Sequence, residues 1–186
     1  MQTKSLKVTG GTARGMPLAQ PRGVRLRPTS SLLREAIFNI IRDRIEDAKV
    51  LDLFAGTGAL GIEALSLGAA HATFVEAEPR CCQAILSSIA RAAFQSKATV
   101  LRGRLPAALG SLDGRFDIVL MDPPYGDAAS GPTLEAVALL VAEGGLVVYE
   151  HASRYNPPER PPGLVLEERR VYGDSAIALY TLEEKE

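Results

Sequence analysis

The 186-residue sequence predicts an α/β fold, a mostly parallel sheet with helices on both faces and one antiparallel strand at its end. Three observations carry this. From residue 49 onward, short apolar runs alternate with helix-length amphipathic stretches, the pattern of repeated strand–helix crossovers. The last two apolar runs meet at Gly173-Asp174 with no helix between them, which is a hairpin signal. A glycine loop, "LDLFAGTGALG" at residues 51–61, turns the first strand into its helix.

Taken in order, "KVTGGTARGMPL" (residues 7–18) alternates and turns like a hairpin, with Val8, Met16 and Leu18 as apolar anchors. Arg27-Pro28 breaks that arm, and Thr29 or Ser30 can cap a helix. Leu32, Leu33, Ala36, Ile37, Ile40 and Ile41 then recur at helical spacing to about Asp47. "KVLDLFA" (49–55) reads as a strand, "GALGIEALSLG" (58–68) as a helix ended by Gly68, and "HATFVEAE" (71–78) as the second strand. "PRCCQAILSSIARAAF" (79–94) is a helix with Pro79 at a favoured first position. "ATVLRG" (98–103) and "RFDIVLMDPPY" (115–125) supply the third and fourth strands. "PTLEAVALLVAEGG" (132–145) reads as a helix and "LVVYEHA" (146–152) as the fifth strand. The Pro-rich stretch at 156–163 is a surface connection before the final hairpin. The expected organisation is a basic hairpin arm at 1–28 and one larger domain at 29–186.

Hydrophobic content of 46% and charged content of 23% suit a globular domain with a proper core. No run of eighteen apolar residues and no apolar leader are present, so the expectation is a cytoplasmic protein without membrane contact. Cys81 and Cys82 are adjacent, which fits neither a disulfide framework nor metal-binding spacing. His71 and His151 lack partners at ligand spacing, so no metal is expected, and a monomer is expected. The net charge of −1 hides an asymmetry: the first 34 residues hold seven basic side chains and no acid, leaving −8 for the rest. A basic arm on an acidic body suits a polyanion. Arg14, Arg22, Arg25, Arg27 and Arg34 are the candidate contacts.

The glycine loop contains G-x-G-x-x-G, a weak signal alone. Asp52 discriminates, because a carboxylate near the carboxyl end of the first strand attracts an ammonium and repels a pyrophosphate. Glu76 ends the second strand, where a carboxylate can accept both ribose hydroxyls; Glu78 competes for that role by register. S-adenosylmethionine has a ribose at one end and an ammonium at the other, whereas NAD has no ammonium. Phe54, Gly56, Gly58 and Ala77 complete the candidate cofactor set.

Asp122-Pro123-Pro124-Tyr125 stands where the fourth strand ends, on the same sheet edge. The prolines stiffen the loop, so the Asp122 carboxylate and the Pro123 carbonyl become fixed acceptors beside the Tyr125 ring. Two acceptors and a ring suit a planar base bearing an exocyclic amine.

"LDLFAGTG", "FVEAEP" and "MDPPY" together resemble the class I S-adenosylmethionine-dependent methyltransferases that modify amino groups of bases, with a Rossmann-like domain. "VTGGTARGMPL", "RLRPTSSLLREAIFNII" and "LDLFAGTGALGIEALSLGA" narrow the resemblance to the bacterial 16S rRNA guanine-N2 methyltransferases. The resemblance implies a seven-stranded sheet with one inverted strand. It implies that Asp52, Gly56 and Gly58 cradle the methionine end of the cofactor and Glu76 the ribose. It further implies that Asp122 and Tyr125 hold the target guanine, and that the arm with Arg14, Arg25 and Arg27 touches 16S rRNA in the small ribosomal subunit. Two positions depart from the family pattern. Arg104 stands where an acidic or amide residue is common, and Ser88 where an asparagine is common. Other readings of the residues are an amine methyltransferase acting on another RNA or on DNA adenine, an NAD-binding oxidoreductase, and a non-catalytic RNA-binding protein.

Overall fold

The computed structural model describes residues 6–24, 26 and 29–184. Seven strands form one sheet: β1 (Lys49–Leu53), β2 (His71–Glu76), β3 (Ala98–Arg102), β4 (Phe116–Met121), β5 (Val141–Ala152), β6 (Leu164–Tyr172) and β7 (Ser175–Leu182). Their order is β3-β2-β1-β4-β5-β7-β6. β1 to β5 are parallel, and β7 runs antiparallel to both β5 and β6. The Gly173-Asp174 turn therefore inverts one strand, as the hairpin signal predicts.

Period-two alternation divides the core between the two faces of the sheet. Val50, Ile118, Val148 and Ile177 face α1 (Ser31–Ile40), α2 (Ala59–Ser66) and α3 (Pro79–Arg91). Leu51, Val119, Val147 and Ala178 face α4 (Ser130–Ala136) and the short 3-10 turns around it. Ser30 caps α1, its Oγ accepting from the Leu33 N–H at 3.1 Å, while Glu78 caps α3 ahead of Pro79.

One boundary differs from the sequence expectation. The helix expected over 132–145 stops at Ala136, and a 3-10 turn over Val137–Leu140 leads straight into β5 at Val141. Val141 pairs with Phe116 and Leu146 with Ile118, so the four residues between loop out of the ladder. Gly144 sits at φ +70°, and a Cβ on Gly145 would lie 2.8 Å from the Ala142 carbonyl, so glycine is required in this excursion. Pairing with β4 overrides the helical periodicity of 137–141 because it keeps Val141 fully buried.

The N-terminal segment docks along the domain. Residues 7–17 form a tight turn with a single antiparallel bridge between Lys7 and Pro17. The turn is sunk against α2, where Glu63 accepts from the Thr9 N–H, the Thr9 hydroxyl and the Gly10 N–H at 2.6–3.0 Å. Gly11 lies so close to the end of α2 that a Cβ would sit 1.7 Å from the Ser66 carbonyl oxygen. The chain then runs antiparallel to α3: Arg91 donates to the Pro17 carbonyl, the Ala19 N–H to the Ser88 hydroxyl, and Arg80 to the Arg22 carbonyl. The segment is thus a strap that reaches the carboxyl edge of the sheet at Leu26 and Thr29.

Candidate active site

The strand order reverses between β1 and β4, the switch point where open α/β sheets hold ligands. A cavity of about 760 Å³ opens there. Asp52, Phe54, Gly56, Glu76, Ala77, Asp122, Pro123 and Tyr125 all line it. Eight residues singled out from three separate stretches of sequence therefore share one chamber.

Each acid is held differently. Glu76 accepts from the Gly56 N–H at 2.7 Å and the Glu78 N–H at 2.8 Å, which fixes the carboxylate at the end of β2. Glu78 caps α3 and does not line the cavity, whereas Glu76 does. Asp52 is 1% exposed and accepts from the Gly61 N–H at 2.9 Å, in the first turn of α2. Burial pushes its carboxyl up to about 8, against the lowering effect of that bond, and the charge of Glu76 adds to the rise. Gly61 permits the contact, since a Cβ would lie 2.3 Å from the Phe74 ring and 3.0 Å from the Asp52 carboxylate.

Gly56 and Gly58 separate in role. Gly56 sits at φ +55° on the cavity wall, and the nearest protein atoms to a Cβ there would be 3.9 Å away, leaving an open cradle. Gly58 is not among the residues that line the cavity. It adopts the left-handed conformation ahead of α2 and packs against Ile85 and Phe74, so its requirement is a backbone turn under close packing. Phe54, a non-glycine residue at φ +58°, holds its strained conformation at the chamber wall, as functional sites tend to.

Asp122 extends β4 into the chamber, and the sequence reading missed its neighbours. The Thr29 hydroxyl donates to Asp122 Oδ2. Glu150 lies opposite in the β4–β5 register, one step beyond the Met121–Tyr149 pair. Burial is the largest cause of a strong rise in the affinity of Asp122 for its proton. Hydrogen bonding to Glu150 and the charge of Glu150 add to it, and the Thr29 bond opposes it. The Tyr125 hydroxyl donates to Glu150 Oε1 at 2.7 Å and lies 2.5 Å from the Ser175 hydroxyl, so the ring is clamped from its far end. A signal for Glu150 existed in "LVVYEHA": an acid at the carboxyl end of an otherwise apolar strand, level with Asp122. Thr29 and Ser175 had none beyond their positions beside a helix cap and a turn.

The basic candidates divide. Arg14 and Arg22 are exposed on the strap, Arg14 in the turn docked at the carboxyl end of α2. Arg25 and Arg27 lie outside the described residues. Arg34 is corrected: it is 2% exposed and pairs with the equally buried Glu63 at 3.5 Å. It also donates to the Lys7 carbonyl at 3.1 Å. Its place on the inward face of α1 makes it a brace for the strap and removes it from any RNA surface. Of the two departures, Arg104 lines the chamber, whereas Ser88 is fully buried beneath the strap and makes no part of the wall.

Burial raises the Cys81 thiol to about 11, and raises that of Cys82 as well, so both are packing residues. Among the described residues no group of three His, Cys, Asp or Glu side chains could hold a metal ion, and no helix is long and apolar enough to cross a membrane.

A seven-stranded sheet with an inverted β7 and a ligand chamber at the ends of β1, β2 and β4 defines a Rossmann-like methyltransferase domain. The chain belongs to the family described as Conserved hypothetical protein 95, whose model matches residues 6–181. It is 33% identical over 183 residues to the ribosomal RNA small subunit methyltransferase D of Escherichia coli (strain K12), covering 96% of this chain and 90% of that one. YlbH of Bacillus subtilis (strain 168) is 32% identical over 180 residues, covering 94% and 98%. The solved structure of yhhF from Escherichia coli superposes with a TM-score of 0.85 at 30% identity, over 96% of this chain and 98% of that one.

Proposed function

We propose that this protein transfers a methyl group from S-adenosylmethionine to the exocyclic N2 of a guanine in 16S rRNA, within the small ribosomal subunit. Its standing as an rRNA methyltransferase rests on relatives of that name that align over nearly its whole length. The finer reading rests on one observation: Asp122, Pro123 and Tyr125 share a chamber with Glu76 and Gly56.

The donor set fits the cofactor. Glu76, pinned by two backbone N–H groups, keeps acceptor capacity for ribose hydroxyls. The open cradle at Gly56 admits a ligand close to the backbone, Phe54 and Ala77 form adjacent walls, and Asp52 answers the ammonium. When bound, S-adenosylmethionine supplies an activated methyl group on a sulfonium.

The guanine amine is a poor nucleophile because its lone pair is delocalised into the ring. Hydrogen bonds from its N–H groups to the Asp122 carboxylate and the Pro123 carbonyl favour a pyramidal nitrogen with a localised lone pair. Two prolines hold these acceptors still, and Thr29, Glu150 and Ser175 hold Asp122 and Tyr125. Alignment of this kind can lower a barrier by about 7–11 kcal/mol at best. The Asp122 carboxyl, whose affinity for a proton is raised by burial and by the neighbouring Glu150, is a local acceptor for the proton the amine sheds. The target base has to leave its stack to enter, which a loop allows most easily. Arg14 and Arg22 on the strap meet phosphates, so binding weakens with salt. One chain carries both the cofactor acids and the base-holding loop, which suits a cytoplasmic monomer.

The test is nucleoside mass spectrometry of unmodified small ribosomal subunits incubated with the protein and S-adenosylmethionine. N2-methylguanosine should form with the wild type and be absent with Asp122→Ala, while cofactor binding persists. N6-methyladenosine in its place, or turnover retained in Asp122→Ala, would overturn the base assignment.

A further inference from the structure

A second cavity of about 410 Å³ lies on the other side of the Pro123-Pro124-Tyr125 loop, sharing that wall and Glu150 with the main chamber. We propose that it is a subsite for a nucleotide flanking the target guanine, with the base among Tyr149, His151 and Tyr155 and the phosphate on Arg154. The proposal rests on the rRNA methyltransferase reading above.

Its walls are built for a flat ring. The His151 ring sits between two tyrosines, with centroids 5.3 Å from Tyr149 and 5.7 Å from Tyr155, inside the range for aromatic contact. Tyr155 is 43% exposed at the rim, so an incoming base meets an aromatic surface at the entrance. RNA loops are read by this means, with splayed bases stacked on aromatic side chains and hydrogen-bonded at their edges. The volume lies within the range of small-molecule pockets.

His151 supplies the edge contact. It is 3% exposed, and its Nδ1 lies 2.9 Å from the Ala152 carbonyl, a bond that assigns the ring proton to Nδ1. Burial lowers the proton affinity of the ring, which keeps it neutral. Nε2 is then a lone-pair acceptor, and it is buried with no partner. Buried acceptors are rarely left unmatched, and every nucleobase offers an N–H at its edge that completes this one when a turn of the ring brings Nε2 to the cavity face. Arg154 is exposed at the same cavity. Its fork of donors matches a phosphate. The shared wall places the subsite beside the guanine pocket, so a base entering it would be a neighbour of the flipped one.

The test uses the whole chain and reads the imidazole signals of its only two histidines by NMR. His71 bonds to the Thr99 hydroxyl away from both cavities and serves as the internal control. Cytidine 5′-monophosphate should move the His151 signals saturably and leave His71 unmoved, and ribose 5-phosphate should move neither. Tyr155→Ala should weaken the nucleotide roughly 5- to 150-fold, the worth of one stacked base. Arg154→Ala should weaken cytidine 5′-monophosphate but leave cytidine unaffected. Both residues are exposed, so folding is not at stake. A His151 signal that stays still, or one that ribose 5-phosphate moves equally, overturns the subsite; a water molecule then satisfies Nε2. The measurement needs no methyl transfer. Absent N2-methylguanosine with a responding His151 would sink the reaction assignment alone, and a silent His151 with intact methylation would sink the subsite alone.

Discussion

The Thr29 hydroxyl donates to the Asp122 carboxylate, joining two residues 93 apart in sequence. Thr29 closes the strap that crosses α2 and α3, and Asp122 directly follows the last residue of β4, Met121. The segment that carries the exposed Arg14 and Arg22 is thereby bonded to Asp122 at the chamber, so that docking of the strap helps set the position of that carboxylate.

Thr29→Val keeps the shape and removes the bond. A hydrogen bond to a charged group is worth about 1.5–3 kcal/mol, so kcat should fall on the order of tenfold to a hundredfold. The Thr29 bond opposes the upward shift of Asp122, so its loss moves that carboxyl higher still. A reaction that needs the carboxylate then has its acid limb displaced to higher pH. An unchanged kcat–pH profile would disconnect Thr29 from the chemistry.

Asp52 should leave a signature in stability. Its carboxyl stands at about 8 in the folded chain against 3.8 ordinarily. Between those values the unfolded chain has lost the proton that the folded chain keeps, so stability falls as pH rises through the window. Asp52→Asn, which still accepts from Gly61, should flatten that slope in urea melts at about pH 5 and about pH 8. If Asp52 answers the cofactor ammonium, S-adenosylmethionine should release a proton on binding near neutral pH. Calorimetry in buffers of different ionisation enthalpy reads that release, and a buffer-independent enthalpy would deny Asp52 the role.

The Arg34–Glu63 pair should behave as a brace. Glu63→Ala leaves a buried guanidinium unpaired and orphans the N–H groups of Thr9 and Gly10. Breaking one side of such a pair costs about 3–5 kcal/mol, or roughly 6–20 °C in Tm for a domain of this size. Arg34→Met should also lower Tm. Its loss of RNA affinity should match its loss of folded protein; a selective RNA defect at full stability would restore Arg34 to the RNA surface.

Gly11→Ala should free the strap while sparing the core. The new Cβ cannot coexist with the Ser66 carbonyl at 1.7 Å, so residues 7–18 have to lift from α2. Hydrogen exchange should accelerate at the Val8, Gly15 and Leu18 amides, which are bonded within the turn. Cofactor affinity should hold while the KM for ribosomal subunits rises. Equal protection in the variant and the wild type would mean that the strap tolerates the substitution.

The alternation of apolar runs, the Gly173-Asp174 turn and the three motif stretches were enough by themselves to specify a parallel sheet with one inverted strand. They also identified the acids at strand ends. Those features are local: period-two burial, a tight turn and a glycine that only one backbone conformation explains can each be read in a window of a few residues. Tertiary structure alone decided what touches what. It placed Glu150 and Ser175 behind Asp122 and Tyr125, because strand register, and not sequence distance, brings β5 and β7 to the β4 edge. It buried Arg34, whose charge read as surface, because a carboxylate from α2 and a carbonyl from the strap meet it inside the core. It placed Ser88 beneath the strap for the same reason. A side chain's function depends on partners that arrive from elsewhere in the chain, and a charge or a hydroxyl does not announce in sequence which partner it will meet.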